Sequence, residues 1–333
     1  MNVSVIGCGS FGCALADHLF RNGCNVKIWG RDNKNTNNII KSRLLPVSLG
    51  NKRLNKDILI TTDMNAAISD TDLILIVVPS TAIRSIAKEI NKLYKSQIIL
   101  LATKGLEDKT YLTMDEIIRQ EIYNVSNIAV ISGPTHAEEV IRNMPTGCVI
   151  ASKDIEVAIK LQSVFMSETF RVYTSDDIVG VELGGAIKNI IALAAGISDG
   201  IGYGDNAKAA LITRGIVEIS TLGKALGAKP ETFNGLTGLG DLIVTCQSIH
   251  SRNRLCGYYI GKGFSLEDAI KKVGMVVEGV NTLNAVYELA KIKGVDTPII
   301  DAIYNVLYEH LSINDVAKVL INREPKHEVI EGR

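Results

Sequence analysis

The chain reads as an α/β domain built on a doubly wound parallel sheet, followed by an all-helical domain, and three observations predict it. Residues 3–16 run from a short apolar stretch through Gly7-x-Gly9-x-x-Gly12 into a small-residue, helix-forming stretch, which is the order strand, tight turn, helix. Unbroken apolar runs then alternate with helical stretches, and beyond residue 180 the strand pattern stops.

In the opening unit, Gly7 supplies the backbone conformation of the turn, Gly9 lets a pyrophosphate approach the main chain, and Gly12 lets the helix pack on the strand. Free N–H groups and a positive dipole end at the helix start face the phosphates, so a dinucleotide site is predicted. Read as a turn that binds nothing, the three glycines with Ala14 and Ala16 behind them are poorly explained. Residues 25–29 give a second strand, and apolar β-branched runs recur at 58–60, 73–78, 98–101 and 128–131. Continuous Ile, Leu and Val, without alternation, is what a parallel sheet covered on both faces requires. The clearest intervening helix spans 80–94, with Ile83, Ile86, Ala87, Ile90 and Leu93 at three-to-four spacing and Ser80 or Thr81 as cap. Strands near 147–151 and 170–173, around a helix over 154–166, extend the sheet's edge and close a first domain at 1–180.

From 181 to 329 the segments are helical: 181–198, 206–226, 251–259, 266–272, 280–292, 298–308 and 313–320. Pro298 and the Ser265-x-x-Asp268 capping box mark helix starts, and Gly227, Gly274 and Gly294 mark stops. The terminal Ile-Glu-Gly-Arg, 330–333, resembles a protease-cleavage linker and is set apart from the fold.

The 333 residues suffice for two cores, and 36 basic against 36 acidic residues argue against a nucleic-acid surface. Binding of a small anion then falls to a few placed Lys or Arg residues. No continuous apolar run approaches a membrane span and no leader pattern precedes the first strand, so a soluble, cytosolic protein is expected. The six cysteines form no Cys-x-x-Cys pair and no His stands at metal-ligand spacing, which predicts reduced thiols and no metal. An exposed apolar helix face would serve a homodimer, though no stretch identifies it.

Several motifs carry chemistry. Val77-Val78-Pro79-Ser80 ends a strand at the edge where open α/β sheets bind ligands, so Pro79 either lines the nicotinamide side or merely stops the strand. Lys104 projects from the same edge after the next strand and either holds substrate oxygen or is a solvated surface lysine. Ser132-Gly133-Pro134-Thr135-His136-Ala137 is a loop fit to receive substrate and nicotinamide, or an ordinary turn before a helix capped by Thr135. His136 titrates near neutrality but ranks below a lysine as acid or base. That lysine is Lys188, set in a small and apolar stretch where burial lowers the pKa of an ammonium toward neutral pH; the alternative is a head group that snorkels to water. Asp241 and Thr245 lie four apart on one helical face, Asp241 to orient Lys188 and Thr245 to bond the reacting oxygen. Ser251-Arg252-Asn253 opens a further helix and makes an anion receptor of guanidinium and free N–H groups.

Over essentially its whole length the chain resembles the NAD(P)-dependent glycerol-3-phosphate dehydrogenases of the bacterial biosynthetic type. The matching stretches are 7–16, Lys104-Gly105, 132–137, Gly185-Ala-Ile-Lys-Asn189, Gly238-Leu-Gly-Asp-Leu242, 251–253 and Glu278-Gly279. The resemblance implies a Rossmann-like domain joined to a helical domain like the C-terminal domain of 6-phosphogluconate dehydrogenase. It implies Lys188 as proton donor and acceptor, with Lys104, Gly133, Thr135, Asp241, Ser251, Arg252 and Asn253 on glycerol 3-phosphate or dihydroxyacetone phosphate. Ser10, Phe11, Arg31, Lys104, Ala137, Arg252, Val276 and Glu278 would contact NAD or NADP, and the product would supply phospholipid synthesis. Both Arg31 and Asp32 follow the second strand, and the positive charge nearer the strand end favours NADPH. The rival enzymes are β-hydroxyacid and 6-phosphogluconate dehydrogenases, against which the Gly-Leu-Gly-Asp-Leu and Ser-Arg-Asn stretches argue; a non-catalytic dinucleotide sensor is the rival from another class.

Overall fold

Alternate residues of the central strands enter opposite cores, Leu73 and Leu75 one, Ile74 and Ile76 the other, because successive side chains of a strand point to opposite faces and both faces are covered. The structure is a computed structural model that describes residues 1–50, 52–325 and 327–328; the tail expected at 330–333 lies outside them. The N-terminal part runs β1 (Asn2–Ile6), α1 (Ser10–Arg21), β2 (Asn25–Trp29), α2 (Lys34–Ser42), β3 (Leu59–Thr61), α3 (Met64–Ile68), β4 (Leu73–Ile76), α4 (Ile83–Asn91) and β5 (Ile98–Leu101). It continues through α5 (Met114–Glu121), β6 (Ile128–Ser132), α6 (Ala137–Val140), β7 (Thr146–Ser152), α7 (Ile155–Phe165) and β8 (Phe170–Ser175). One sheet has the order β3-β2-β1-β4-β5-β6-β7-β8, and β1 to β6 are parallel.

The strands expected at 147–151 and 170–173 do extend the edge, with β7 antiparallel to β6 and β8 parallel to β7. A parallel return needs a crossover along a sheet face, whereas the connection 133–145 holds only the four-residue α6 and turns back at the same edge. That edge, at the C-terminal ends of β1, β4, β5 and β6, therefore carries the Gly133–Ala137 loop.

Residues 80–94 also differ from a single capped helix. Ser80–Ala82 form a 3-10 turn ahead of α4, and neither Ser80 nor Thr81 caps. The Ser80 hydroxyl donates instead to the Glu278 carboxylate, 2.6 Å away.

The remaining helices are α8 (Ile178–Ile201), α9 (Asp205–Ala225), α10 (Asp241–Gln247), α11 (Arg252–Gly261), α12 (Leu266–Val273), α13 (Glu278–Lys293), α14 (Pro298–Leu307) and α15 (Ile313–Ile321). No strand occurs beyond Ser175 among the described residues. Helix α8 is the spine of this part: it packs against β6 and β7 on one side and α9, α10, α11 and α13 on the other. Contrary to expectation, α8 is long and apolar enough to cross a membrane, but 94% of its apolar window is buried inside the protein. Helix α11 crosses it so closely that a Cβ on Gly257 would lie 2.1 Å from the Leu193 carbonyl oxygen. The start of α11 is thereby held beside the middle of α8, where Lys188 stands.

Candidate active site

The phosphate turn lies at the C-terminal end of β1. Gly7 has φ +134°, and a Cβ there would lie 2.2 Å from the Val77 carbonyl oxygen. A Cβ on Gly12 would lie 1.9 Å from the Gly7 oxygen, so α1 packs directly on the turn, while nothing lies within 4 Å of one on Gly9. Gly9 is also the N-cap of α1 and lends no side chain to its free N–H groups. The open approach at Gly9 and the uncapped helix start fit a dinucleotide pyrophosphate. Ser10, the first residue of α1, shares a 2.6 Å hydrogen bond with Ser48, and Phe11 packs against the sheet core. Beyond β2, Asp32 accepts a hydrogen bond from Asn37, whereas Arg31 is exposed and has no partner among the described residues. Pro79 is exposed at the end of β4, on the same edge of the sheet.

Four elements bring the charged cluster together. Lys188 is 5% exposed on α8, and its Nζ donates to Asp241 Oδ1 at 2.6 Å and to Thr245 Oγ1 at 2.7 Å. Lys104 follows β5 and donates to Asp241 Oδ2 at 2.7 Å and to the Gly133 carbonyl at 3.2 Å. It is thus no solvated surface lysine. Asp241 and Thr245 are carried on α10, which follows a glycine-rich π-helical turn at Leu236–Gly240. The Thr237 hydroxyl fastens that turn to Val181 of α8.

An ammonium has three donors, so Lys188 and Lys104 each keep one N–H uncommitted after these contacts. Two ammonium groups against one carboxylate leave a positive charge in excess, which an anionic or oxyanionic ligand would balance. Burial lowers the Lys188 pKa to about 8; the Asp241 charge draws it back up and Lys104 pushes it further down. Burial by itself raises the Asp241 carboxyl, but the two lysine charges outweigh it and hold it below its ordinary value. Thr245 has a different place from the one expected: its only proton goes to the Asp241 carbonyl oxygen at 2.6 Å and its oxygen accepts from Lys188. It positions Lys188 and has no donor left for a reacting oxygen.

The start of α11 adjoins this cluster. Ser251 caps it by accepting from the Arg254 N–H, which leaves its own proton free. Asn253 donates to Asn189 at 2.9 Å and accepts from the Gly279 N–H at 2.8 Å, so one amide hydrogen remains for a ligand. Arg252 is exposed and makes no hydrogen bond or ion pair among the described residues, though its charge acts on Glu278.

In the Gly133–Ala137 loop, Thr135 donates to the Gly133 carbonyl, and His136 takes the N-cap position of α6 without a side-chain bond. Thr135 therefore does not cap that helix. The His136 pKa is pushed down to about 4, first by burial and then by the Lys188 charge, so the imidazole is neutral at pH 7. Ala137 is buried at the start of α6, and Val276 is exposed just before α13.

Sequence reasoning missed two residues here. Ser80 joins the β4 edge to Glu278 at the start of α13, and Asn189 ties α8 to α11. Asn189 stands next to Lys188 and was a visible signal; the Ser80–Glu278 contact spans 198 positions and had none.

The N-terminal profile of the NAD-dependent glycerol-3-phosphate dehydrogenases matches residues 2–158, and their C-terminal profile matches 177–318. A protein of Thermoanaerobacter sp. (strain X514) named glycerol-3-phosphate dehydrogenase, NAD(P)+, is 46% identical over 335 aligned positions that cover 99% of each chain. One of the same name from Fusobacterium nucleatum is 47% identical, again over 99% of each. The crystal structure of the Coxiella burnetii glycerol-3-phosphate dehydrogenase superposes with a TM-score of 0.93 at 36% identity, over 97% of this chain and 99% of that one.

Proposed function

The chain belongs to the NAD-dependent glycerol-3-phosphate dehydrogenase family, and from that premise we propose how its own residues reduce dihydroxyacetone phosphate to sn-glycerol 3-phosphate with an NAD(P) cofactor. The reading rests above all on one observation: a buried lysine, paired with Asp241 and Thr245, that keeps a single N–H to give. The turn at Gly7, Gly9 and Gly12, with Ser10, Phe11, Pro79, Ala137, Val276 and Glu278 around the cleft, would hold the dinucleotide. When bound, it supplies the hydride that reaches C2.

Lys188 gives its remaining proton to the ketone oxygen as negative charge develops there, and it is left as the neutral amine. A fixed ammonium aimed at that oxygen favours the transition state over the ground state. A pKa of about 8 keeps Lys188 mostly protonated at neutral pH and still able to release the proton. Asp241 orients it and balances its charge, Thr245 fixes its rotamer, and Lys104 presents its own free N–H from the opposite side of Asp241. Arg252, the Ser251 hydroxyl, the spare Asn253 proton and the start of α11 receive the phosphate, with Gly133 and Thr135 on the facing loop. That grip is remote from C2, so its binding energy serves orientation. Arg31, unpartnered beside a committed Asp32, would read a ribose 2′-phosphate and favour NADPH. On this reading the enzyme is cytoplasmic and its product supplies the glycerol backbone of phospholipids.

The test is steady-state turnover with NADPH and NADH side by side. Loss of reduced cofactor with dihydroxyacetone phosphate, and none formed from NAD+ or NADP+ with 3-hydroxyisobutyrate, is the expected result. Protein that binds NADPH yet reduces no keto phosphate would return it to the sensor class.

A further inference from the structure

The groups assigned above account for the ketone oxygen and the phosphate of dihydroxyacetone phosphate, but for nothing at its third polar group, the C1 hydroxyl. His136 has an unclaimed polar atom in the right neighbourhood. Its Nε2 is shielded from solvent and has no hydrogen-bond partner. The ring sits between Thr135 and Ala137 on the loop that meets Lys104 through Gly133, and it feels the charges of Lys188, Asp241 and Lys104 as well as that of His250, whose ring centroid is 6.3 Å away. A buried polar atom without a partner is costly and uncommon, and it asks for a ligand group that supplies the missing bond.

We propose that His136 Nε2 contacts the C1 hydroxyl of the substrate and makes the enzyme select hydroxymethyl ketone phosphates over methyl ketone phosphates. This rests on the reading of the site as a dihydroxyacetone phosphate reductase. A neutral imidazole has one donor and one acceptor nitrogen, so it pairs with a hydroxyl in either sense. It carries no proton that would compete with that of Lys188 for the ketone oxygen. The reason for a neutral ring is on the page: two ammonium groups and a buried setting disfavour a third cation beside them. A site built around a hydroxyl discriminates strongly against the analogue lacking it, because the protein group is then left unpaired.

The probe is acetonyl phosphate, which has a methyl group where dihydroxyacetone phosphate has the hydroxymethyl. Wild-type enzyme should show a kcat/KM at least about tenfold higher for dihydroxyacetone phosphate, the size of one such bond. His136→Phe should erase most of that ratio by lowering kcat/KM for dihydroxyacetone phosphate alone, and His136→Gln, which keeps an amide near the Nε2 position, should restore part of it. The pH profile on acetonyl phosphate should be the same in all three proteins. Equal kcat/KM for the two substrates in the wild type overturns the proposal without any variant. A ratio that survives His136→Phe overturns it equally, and so does a ratio in His136→Gln no higher than in His136→Phe. Absence of turnover with dihydroxyacetone phosphate in the wild type would be a different result, the failure of the functional reading itself.

Discussion

The phosphate turn and the lysine cluster handle charge in opposite ways. The turn at Gly7–Gly12 carries no charged side chain and offers an anion only backbone N–H groups at the open end of α1. The cluster on α8 and α10 gathers three ionised side chains below the surface, from positions as far apart as Lys104 and Asp241, 137 residues. Backbone donors offer an anion hydrogen bonds without a titrating side chain. A buried ammonium shifts its pKa toward the working range, which is what moving a proton requires. One region is made for binding and the other for chemistry, and substitutions should separate them.

Lys188→Met removes the proton donor and should lower kcat about a thousandfold. Titration with NADPH, read by fluorescence, should give an unchanged Kd; joint loss of both would merge the two regions. Asp241→Asn comes next. It should lower kcat about a hundredfold and, with the buried Lys188 ammonium and the half-buried Lys104 left without a counter-charge, destabilise the fold by about 3 kcal/mol, visible as a lower Tm. Removing its negative charge lowers the Lys188 pKa, so the midpoint of the pH–rate curve should move to lower pH. Arg252→Ala belongs to the substrate's anionic end and should raise KM for dihydroxyacetone phosphate about thirtyfold with kcat little changed. An unchanged KM would take the phosphate away from α11. The smallest effect is on the cofactor side: Arg31→Ala should weaken NADPH about tenfold and leave NADH as it was. Equal losses would show that Arg31 does not read the 2′-phosphate.

The same contrast decides what could be read from the residues in order. The turn is local, so the consecutive residues 3–16 specify its strand, its bend and its helix, and β1 and α1 lie where the pattern puts them. Lys188 was legible for a related reason: a lysine in a run of Gly, Ala, Ile and Leu on one helix announces its own burial. Partners across the fold were not. The Thr245 proton goes to the Asp241 carbonyl one turn earlier, the common bond of a helical threonine, but nothing near Ser80 says that its hydroxyl leaves the helix start for Glu278. The antiparallel β7 was hidden as well, because direction is set by how the 133–145 connection returns and not by the apolar content of the strand. The capping box of α5, Thr113 with Glu116, is a local signal that the eight-residue helix behind it is too short to reinforce with a long apolar stripe.

The account stands on Lys188 as the buried group that gives and takes the proton. The direct measurement is kcat/KM for dihydroxyacetone phosphate reduction between about pH 6 and 10, which reports groups of the free enzyme, with glycerol 3-phosphate oxidation followed over the same range. A donor with a pKa of about 8 predicts reduction that falls, and oxidation that rises, through a midpoint close to that value. Rates that stay level across that interval in both directions would contradict it.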